Sequence, residues 1–126
     1  MAGKILIVED NELNRILLKD VLEYYGYEVT EAVNGAEGLK RAREYSPDLL
    51  FLDIQMPVMD GFAVIRALRN DPVPGIRKII ALTSFAMRGD RERIMAAGFD
   101  GYLTKPIDTR QLPHMVREWL GEEETG

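Results

Sequence analysis

The chain has 126 residues, of which 46% are hydrophobic and 29% charged, and this balance fits one globular domain with its own core. The net charge is −5 and no basic run occurs, so we expect no nucleic-acid-binding surface. The absence of cysteine excludes disulfides, thiol catalysis and cysteine metal sites. No apolar run approaches membrane-spanning length and no signal-peptide pattern precedes the first strand, so we expect a cytoplasmic protein without membrane contact. We also expect a monomer.

In the first half of the chain, short apolar runs alternate with segments of helical periodicity. In chain order, they predict a strand over residues 5–8, a helix from Asn11 or Glu12 to about Tyr25, a strand over 27–32, a helix over 36–45 and a strand over 49–53. The first helix has a predicted buried face of Leu18, Val21, Leu22 and Tyr25. The run from Leu49 to Leu52 is too short for an isolated helix and has no polar alternation, which indicates a central strand covered on both faces.

The same alternation continues in the second half. It predicts a helix from an N-cap at Asp60 to about Arg69, a strand over residues 78–82, a helix over 90–97 that ends at Gly98, a strand over 102–104, and a last helix from Asp108 to Leu120. Asp108 and Gln111 have the spacing of a capping box, and Pro113 inside that helix predicts an irregular first turn. We therefore expect one domain over residues 1–121 and a solvated acidic tail over 122–126, and the two ends of the chain favour a stand-alone protein.

Five strands alternating with five helices predict an α/β fold with a doubly wound parallel sheet and helices on both faces. If the ligand crevice lies where the winding reverses, the first and third strands are neighbours, which is the flavodoxin-like order 2-1-3-4-5. Polar side chains follow four of the five strands at their carboxyl ends. They are Glu9 and Asp10 after the first strand, Asp53 at the end of the third, Thr83 after the fourth and Lys105 after the fifth.

This convergence gives the polar residues a meaning that none has alone. Asp53 by itself would be read as a turn or capping residue. Three carboxylates at one edge repel one another unless a cation lies among them, and oxygen ligands without His or Cys favour a hard cation such as Mg²⁺. The Lys105 ammonium and the Thr83 hydroxyl would contact phosphoryl oxygens. The chemistry that fits is phosphoryl transfer to a carboxylate.

Four motifs in order resemble a known family, the receiver domains of bacterial two-component response regulators. The motifs are Val8-Glu9-Asp10, Leu52-Asp53-Ile54-Gln55-Met56-Pro57 with Met59-Asp60-Gly61, Ala81-Leu82-Thr83, and Lys105-Pro106. The resemblance extends from Lys4 to Leu120. Residues 83–107 are especially similar to receivers of hybrid histidine kinases, and the chain also resembles single-domain cell-division regulators.

The resemblance implies a role for each site residue. Asp53 would be the phosphoacceptor, Asp10 a direct Mg²⁺ ligand, Glu9 a metal ligand mostly through water, the Gln55 backbone carbonyl a further ligand, Thr83 the hydroxyl that moves onto the phosphoryl group, Tyr102 the aromatic ring that changes rotamer with it, and Lys105 the cation on the phosphoryl oxygens, with a cis bond to Pro106. Glu9 departs from the commoner Asp, and its longer side chain changes how it can meet the metal.

The implied function is a binding switch that accepts a phosphoryl group from a histidine kinase or a histidine phosphotransfer protein. Such a domain catalyses its own phosphorylation and hydrolysis but turns over no external product. One alternative is a phosphatase of the haloacid dehalogenase type, but its second Asp would fall at Gln55. Another is a degenerate receiver that binds partners without phosphate, which would have lost Asp53, Lys105 or one of the acids.

Two surfaces are candidates for partner binding. Leu13 and Leu17 lie outside the buried face of the first helix, so the phosphodonor is expected to dock there, unless they are ordinary exposed apolar residues. The fourth helix, fifth strand and fifth helix form the expected output surface around Tyr102, with Met95 and Met115 pointing outward. The alternative is that both methionines are incidental and that Tyr102 does not move.

Overall fold

In the computed structural model, which describes residues 3–84 and 88–122, five parallel strands form one sheet in the order β2-β1-β3-β4-β5. The strands are β1 (Lys4–Val8), β2 (Glu28–Ala32), β3 (Leu49–Asp53), β4 (Lys78–Thr83) and β5 (Gly101–Thr104), and the helices are α1 (Glu12–Tyr24), α2 (Gly35–Tyr45), α3 (Gly61–Asn70), α4 (Arg88–Ala96) and α5 (Leu112–Leu120). The predicted strand order and fold class are confirmed, and β3 has the predicted bounds.

Alternate strand residues point to opposite faces of the sheet. Both faces are apolar, and helices cover each of them. Leu50 and Leu52 of β3 belong to one apolar cluster, which includes side chains of α2, α3 and α4. Leu49 and Phe51 belong to a second cluster with side chains of α1 and α5. In that second cluster the ring of Phe51 meets Trp119 edge to face, with centroids 6.0 Å apart. Every residue of β3 is buried, as expected for the central strand.

The end of α1 differs from the prediction at Tyr25. Asn11 caps the helix through a bond from the Asn14 amide, and Leu18 and Leu22 are buried as expected. Tyr25, however, is 50% exposed, because the helix ends at Tyr24 and the chain then turns through Gly26, which has a φ of +92°. The buried aromatic residue is Tyr27 instead.

The start of α5 also differs. The predicted capping box is wrong, because Asp108 accepts a hydrogen bond from the Arg110 amide and the helix begins only at Leu112. Gln111 makes no side-chain cap. Pro113 therefore lies in the first helical turn, where a missing N–H has no intrahelical acceptor to lose.

Glu122, the first residue of the predicted acidic tail, contacts the domain. The Tyr27 hydroxyl donates to Oε2 of Glu122 across 3.3 Å, and the Glu122 amide donates to the Arg117 carbonyl across 2.8 Å. Burial and the neighbouring Glu122 carboxylate raise the pKa of Tyr27 above its usual range. Glu122 is thus anchored to the domain, and the rest of the expected tail, residues 123–126, lies outside the described residues.

None of the helices within residues 3–84 and 88–122 combines the length and the apolar character needed to cross a bilayer.

Candidate phosphoryl-transfer and metal site

The carboxyl ends of β1, β3, β4 and β5 bring the predicted site residues to one edge of the sheet. Parallel pairing places Val8 beside Leu52, Asp53 beside Leu82 and Thr83 beside Thr104, so the residues that follow these strands are neighbours. The side chains of Glu9, Asp53 and Thr83 are almost completely buried, whereas Asp10 is exposed. The pocket therefore has a closed acidic floor and an open acidic rim.

Lys105 bridges the two buried carboxylates. Its Nζ lies 2.7 Å from Oδ2 of Asp53 and 2.7 Å from Oε1 of Glu9. Burial acts to lower the pKa of Lys105, but its contacts with Asp53 and Glu9 outweigh burial and raise that pKa above the ordinary value. The cation is consequently held in the pocket in its charged form.

Within this group, the ionised form of the Glu9 carboxyl is disfavoured. Burial, together with a hydrogen bond to Asp53, raises the pKa of the Glu9 carboxyl from 4.5 to about 7, although the Lys105 charge acts in the opposite direction. Its buried Oε1 has the charge of Lys105 nearby but no hydrogen bond of suitable angle. One ammonium does not compensate two buried carboxylates, so a further cation would stabilise the ionised pocket.

A divalent cation fits the carboxylates that surround this pocket. Glu9, Asp10 and Asp53 each offer one oxygen, and the three atoms lie within 4.8 Å of one another. Only oxygen ligands are present in this group, which favours Mg²⁺ over softer metals. The predicted metal-binding acids are thus brought together. The Gln55 carbonyl remains a predicted ligand, while the Gln55 amide donates to Oδ1 of Asp53 across 2.8 Å.

Two glycines, which have no side chain, allow the loop after β3 to lie close to Asp53. A Cβ added to Gly61 would lie 2.6 Å from the Asp53 carbonyl oxygen, and one added to Gly35 would overlap the Met59 carbonyl. Asp60 caps α3, as predicted, by accepting from the Ala63 amide across 2.9 Å. The loop therefore folds back against the strand end that bears Asp53.

Sequence reasoning missed Arg15. The Nη1 of Arg15 donates to the Glu9 carbonyl across 3.0 Å, and its Nε lies 3.2 Å from Oε1 of Glu31. The side chain is only 14% exposed. An arginine one turn into a helix is usually solvated, and its pairing with a residue at the end of another strand has no local sequence signal.

The apolar residues proposed for donor docking are placed as predicted. Leu13 is 79% exposed and Leu17 is 43% exposed, both on α1 outside the buried face. Their helix begins directly after the Glu9-Asp10 pair. The exposure is confirmed, and the docking role stays a prediction.

The expected output surface is only partly apolar. Tyr102 is half-buried against the core, and the Arg91 guanidinium carbon lies 5.9 Å from the centre of its ring. Met95 is 46% exposed, as predicted. Met115 is half-buried, and its predicted outward position stays a prediction.

The known proteins that are similar to this chain point to one family. A family model described as the response regulator receiver domain matches residues 5–117. The polar-differentiation response regulator DivK of Brucella anthropi is 42% identical over 122 residues, which cover 97% of this chain and 99% of that protein. The chemotaxis protein CheY4 of Vibrio cholerae superposes with a TM-score of 0.85 at 30% identity, over 94% of this chain and 98% of that one.

A second solved structure is informative about the site. The receiver domain of a sensor histidine kinase from Pseudomonas aeruginosa superposes with a TM-score of 0.85 at 35% identity, over 97% of this chain and 100% of that one. That structure is described as having a magnesium ion coordinated in the active site cleft.

Proposed function

This chain belongs to the response regulator receiver domain family of two-component systems, and we propose that it is a switch controlled by phosphorylation of Asp53. Receiver domains are signalling domains that interact with kinases or phosphotransfer proteins. The phosphodonor here is a histidine kinase or a histidine phosphotransfer protein. The observation that carries the proposal is the buried Asp53 carboxylate with the Lys105 ammonium 2.7 Å from Oδ2.

In the proposed reaction, a carboxylate oxygen of Asp53 attacks the phosphorus of a phosphohistidine. The new P–O bond forms as the P–N bond breaks, and the imidazole leaves with the electron pair. Lys105 stabilises the charge on the phosphoryl oxygens. Its second contact, with Glu9, keeps the ammonium in the pocket while its bond to Asp53 is exchanged for one to phosphate.

Magnesium would be held by Asp10, Asp53 and the Gln55 carbonyl, with Glu9 reached through water. When bound, it supplies positive charge that neutralises the acids and the phosphoryl oxygens. The extra methylene of Glu9 lets its Oε1 contact Lys105, and its Oε2 accepts from the Asn11 amide across 3.3 Å. Both oxygens thus have a neighbour within the protein, which supports an indirect role at the metal.

The switch step begins at Thr83, the buried residue that ends β4. Movement of its hydroxyl onto the phosphoryl group would open space for the half-buried ring of Tyr102 to turn inward. The surface of α4, β5 and α5 around Met95 then changes shape, and a partner that prefers the new shape gains affinity. The domain releases no product from an external substrate, apart from slow hydrolysis of its own phosphoryl group.

The competing functions have less support. A phosphatase of the haloacid dehalogenase type needs a second acid two residues after its first Asp. In this chain Gln55 occupies that position. A receiver that works without phosphate has no need of the Lys105 bridge between two buried acids.

The test is transfer of a phosphoryl group from acetyl phosphate in the presence of Mg²⁺. Mass spectrometry of the intact protein measures the number of groups added. We expect one phosphoryl group per chain, and none on Asp53→Asn. Asp60→Asn is the matched control, since Asp60 is an exposed acid of the same loop and asparagine also caps helices. Labelling of the Asp53→Asn protein, or sustained turnover of the donor without a labelled intermediate, would contradict the proposal.

A further inference from the structure

Arg91 of α4 contacts the ring of Tyr102 on β5. Its guanidinium carbon lies 5.9 Å from the centre of the ring, within the range of a cation–π contact. Arg91 is exposed, whereas Tyr102 is half-buried. Within residues 3–84 and 88–122, no carboxylate forms an ion pair with Arg91, so the ring is the group that orients this guanidinium.

The register of the sheet places the Tyr102 side chain on the same face as that of Thr83. Tyr102 pairs with Ala81, and Thr83 lies two residues further along β4. Alternate residues of a strand point to the same face. Ala81 and Tyr102 both belong to the apolar cluster that includes side chains of α4. A movement of the buried Thr83 hydroxyl therefore opens space on the face where the Tyr102 ring lies.

Arg91 reaches the same ring from the solvent side. In α4, Ile94 is buried in that apolar cluster, and a helix places residue 91 on the same side as residue 94. Arg91 thus lies at the margin of the buried face of α4, with its charged end in water. The contact consequently acts on the exposed part of the Tyr102 ring.

An inward turn of the Tyr102 ring is incompatible with this contact. The guanidinium is already close to the limit of about 6 Å, beyond which the attraction to a ring is lost. To follow the ring, the guanidinium would have to enter the apolar cluster, and burial of an unpaired charge is costly. The contact therefore stabilises the half-buried position of Tyr102 relative to the inward one.

We propose that Arg91 is a positioning residue that holds Tyr102 in its resting position and so limits the switch before phosphorylation. This inference rests on the proposed function, because the inward turn of Tyr102 is a step of the proposed switch. Cation–π contacts at exposed sites shift an equilibrium roughly 2- to 5-fold. A contact made only in the predominant resting state weakens, by the same factor, the binding of a ligand that favours the other state.

The test is the affinity for beryllofluoride in the presence of Mg²⁺. Titration is followed at the Gln55 amide, which donates to Oδ1 of Asp53. Arg91→Gln removes the charge and keeps a good helix former. Arg93→Gln is the matched control, since Arg93 is also exposed on α4 and lies 4.8 Å from the ring of Phe62, an aromatic residue outside the proposed switch.

We expect Arg91→Gln to bind beryllofluoride roughly 2- to 5-fold more tightly than the wild-type chain. Arg91→Lys keeps a cation near the ring and should stay close to wild type, as should Arg93→Gln. In a Tyr102→Leu background, Arg91→Gln should no longer change the affinity, because the ring through which Arg91 acts is absent.

Unchanged binding in Arg91→Gln overturns the proposal, and weaker binding does so too, since it would show that the charge attracts the anion. Equal tightening in Arg93→Gln, or the same gain in the Tyr102→Leu background, would also overturn it, because the effect would then not act through Tyr102. If the wild-type chain binds no beryllofluoride, the proposed function itself fails.

Discussion

The guanidinium of Arg15 donates a hydrogen bond to the backbone carbonyl of Glu9 across 3.0 Å. Glu31 orients the same guanidinium from the end of β2, at 3.2 Å from Nε. The Glu9 carbonyl belongs to the peptide that leads into Asp10, the exposed acid of the metal site. Arg15 is therefore in a position to fix the direction in which the Asp10 carboxylate points.

Loss of this bond should weaken metal binding. We expect Arg15→Met to reduce Mg²⁺ affinity roughly ten-fold, the size typical of residues that orient metal ligands. Isothermal titration calorimetry measures this without any phosphorylation. Arg41→Met is the matched control, since Arg41 also pairs with a glutamate, Glu37, at 2.9 Å but on the exposed face of α2. Equal loss in both variants would show that the effect is one of general charge.

The two acids after β1 should contribute unequally. Asp10→Ala is expected to abolish measurable Mg²⁺ binding, because the exposed Asp10 is the proposed direct ligand. Glu9→Gln is expected to weaken it less, because Lys105 and the Asn11 amide already contact the two Glu9 oxygens. Titration of each variant with Mg²⁺, followed by amide chemical shifts, measures the difference. Equal losses would refute the separate direct and water-mediated roles.

Gly61 should tolerate no side chain. Gly61→Ala forces a Cβ to within 2.6 Å of the Asp53 carbonyl oxygen and of the Ile54 Cα, so we expect about 1–3 kcal/mol of destabilisation. Urea unfolding measures it. Gly89→Ala is the control, since its added Cβ meets no atom within 4 Å in α4 and should not destabilise the chain. An unchanged unfolding midpoint in Gly61→Ala would show that the loop can move away from β3.

The start of α1 should matter for the protein donor alone. Leu17→Glu places a charge on the exposed apolar surface beside the pocket, and we expect slower transfer from a phosphohistidine donor with unchanged labelling by acetyl phosphate. Tyr24→Glu is the control at the far end of the same helix, where the side chain is 83% exposed. Slower labelling by both donors in Leu17→Glu would indicate unfolding, and equal effects of the two variants would exclude a localised docking site.

The switch should require the Thr83 hydroxyl. With beryllofluoride and Mg²⁺, we expect chemical-shift changes at Tyr102 and Met95, and smaller ones at Met115, which is half-buried. In Thr83→Ala the changes near Asp53 should remain while those at Tyr102 and Met95 are lost, whereas Thr83→Ser should retain them. Shifts confined to the surroundings of Asp53 in the wild-type chain would show that the output surface lies elsewhere.

Patterns that are local in sequence were sufficient to predict the fold and the grouping of Glu9, Asp10, Asp53 and Lys105 at one edge of the sheet. The apolar run of β3 ends in Asp53 with the expected bounds, because four buried residues between prolines leave few alternatives to a central strand. Crossovers between parallel strands have one handedness, so the alternation of elements restricts the strand order. Polar residues at strand ends must then lie at one edge of the sheet.

Side-chain geometry was decided by contacts between residues far apart in the chain. Lys105 and Asp53 are 52 positions apart, and no local pattern indicates that the ammonium also meets Glu9. Helix ends turned out differently for the same reason, as the exposed Tyr25 and the late start of α5 depend on how the following segments pack. Propensities favour a local conformation by tenths of a kcal/mol per residue, and packing and buried charge pairs contribute more. The tertiary structure therefore determines which side chains meet, while the sequence pattern determines which elements are available to bring them there.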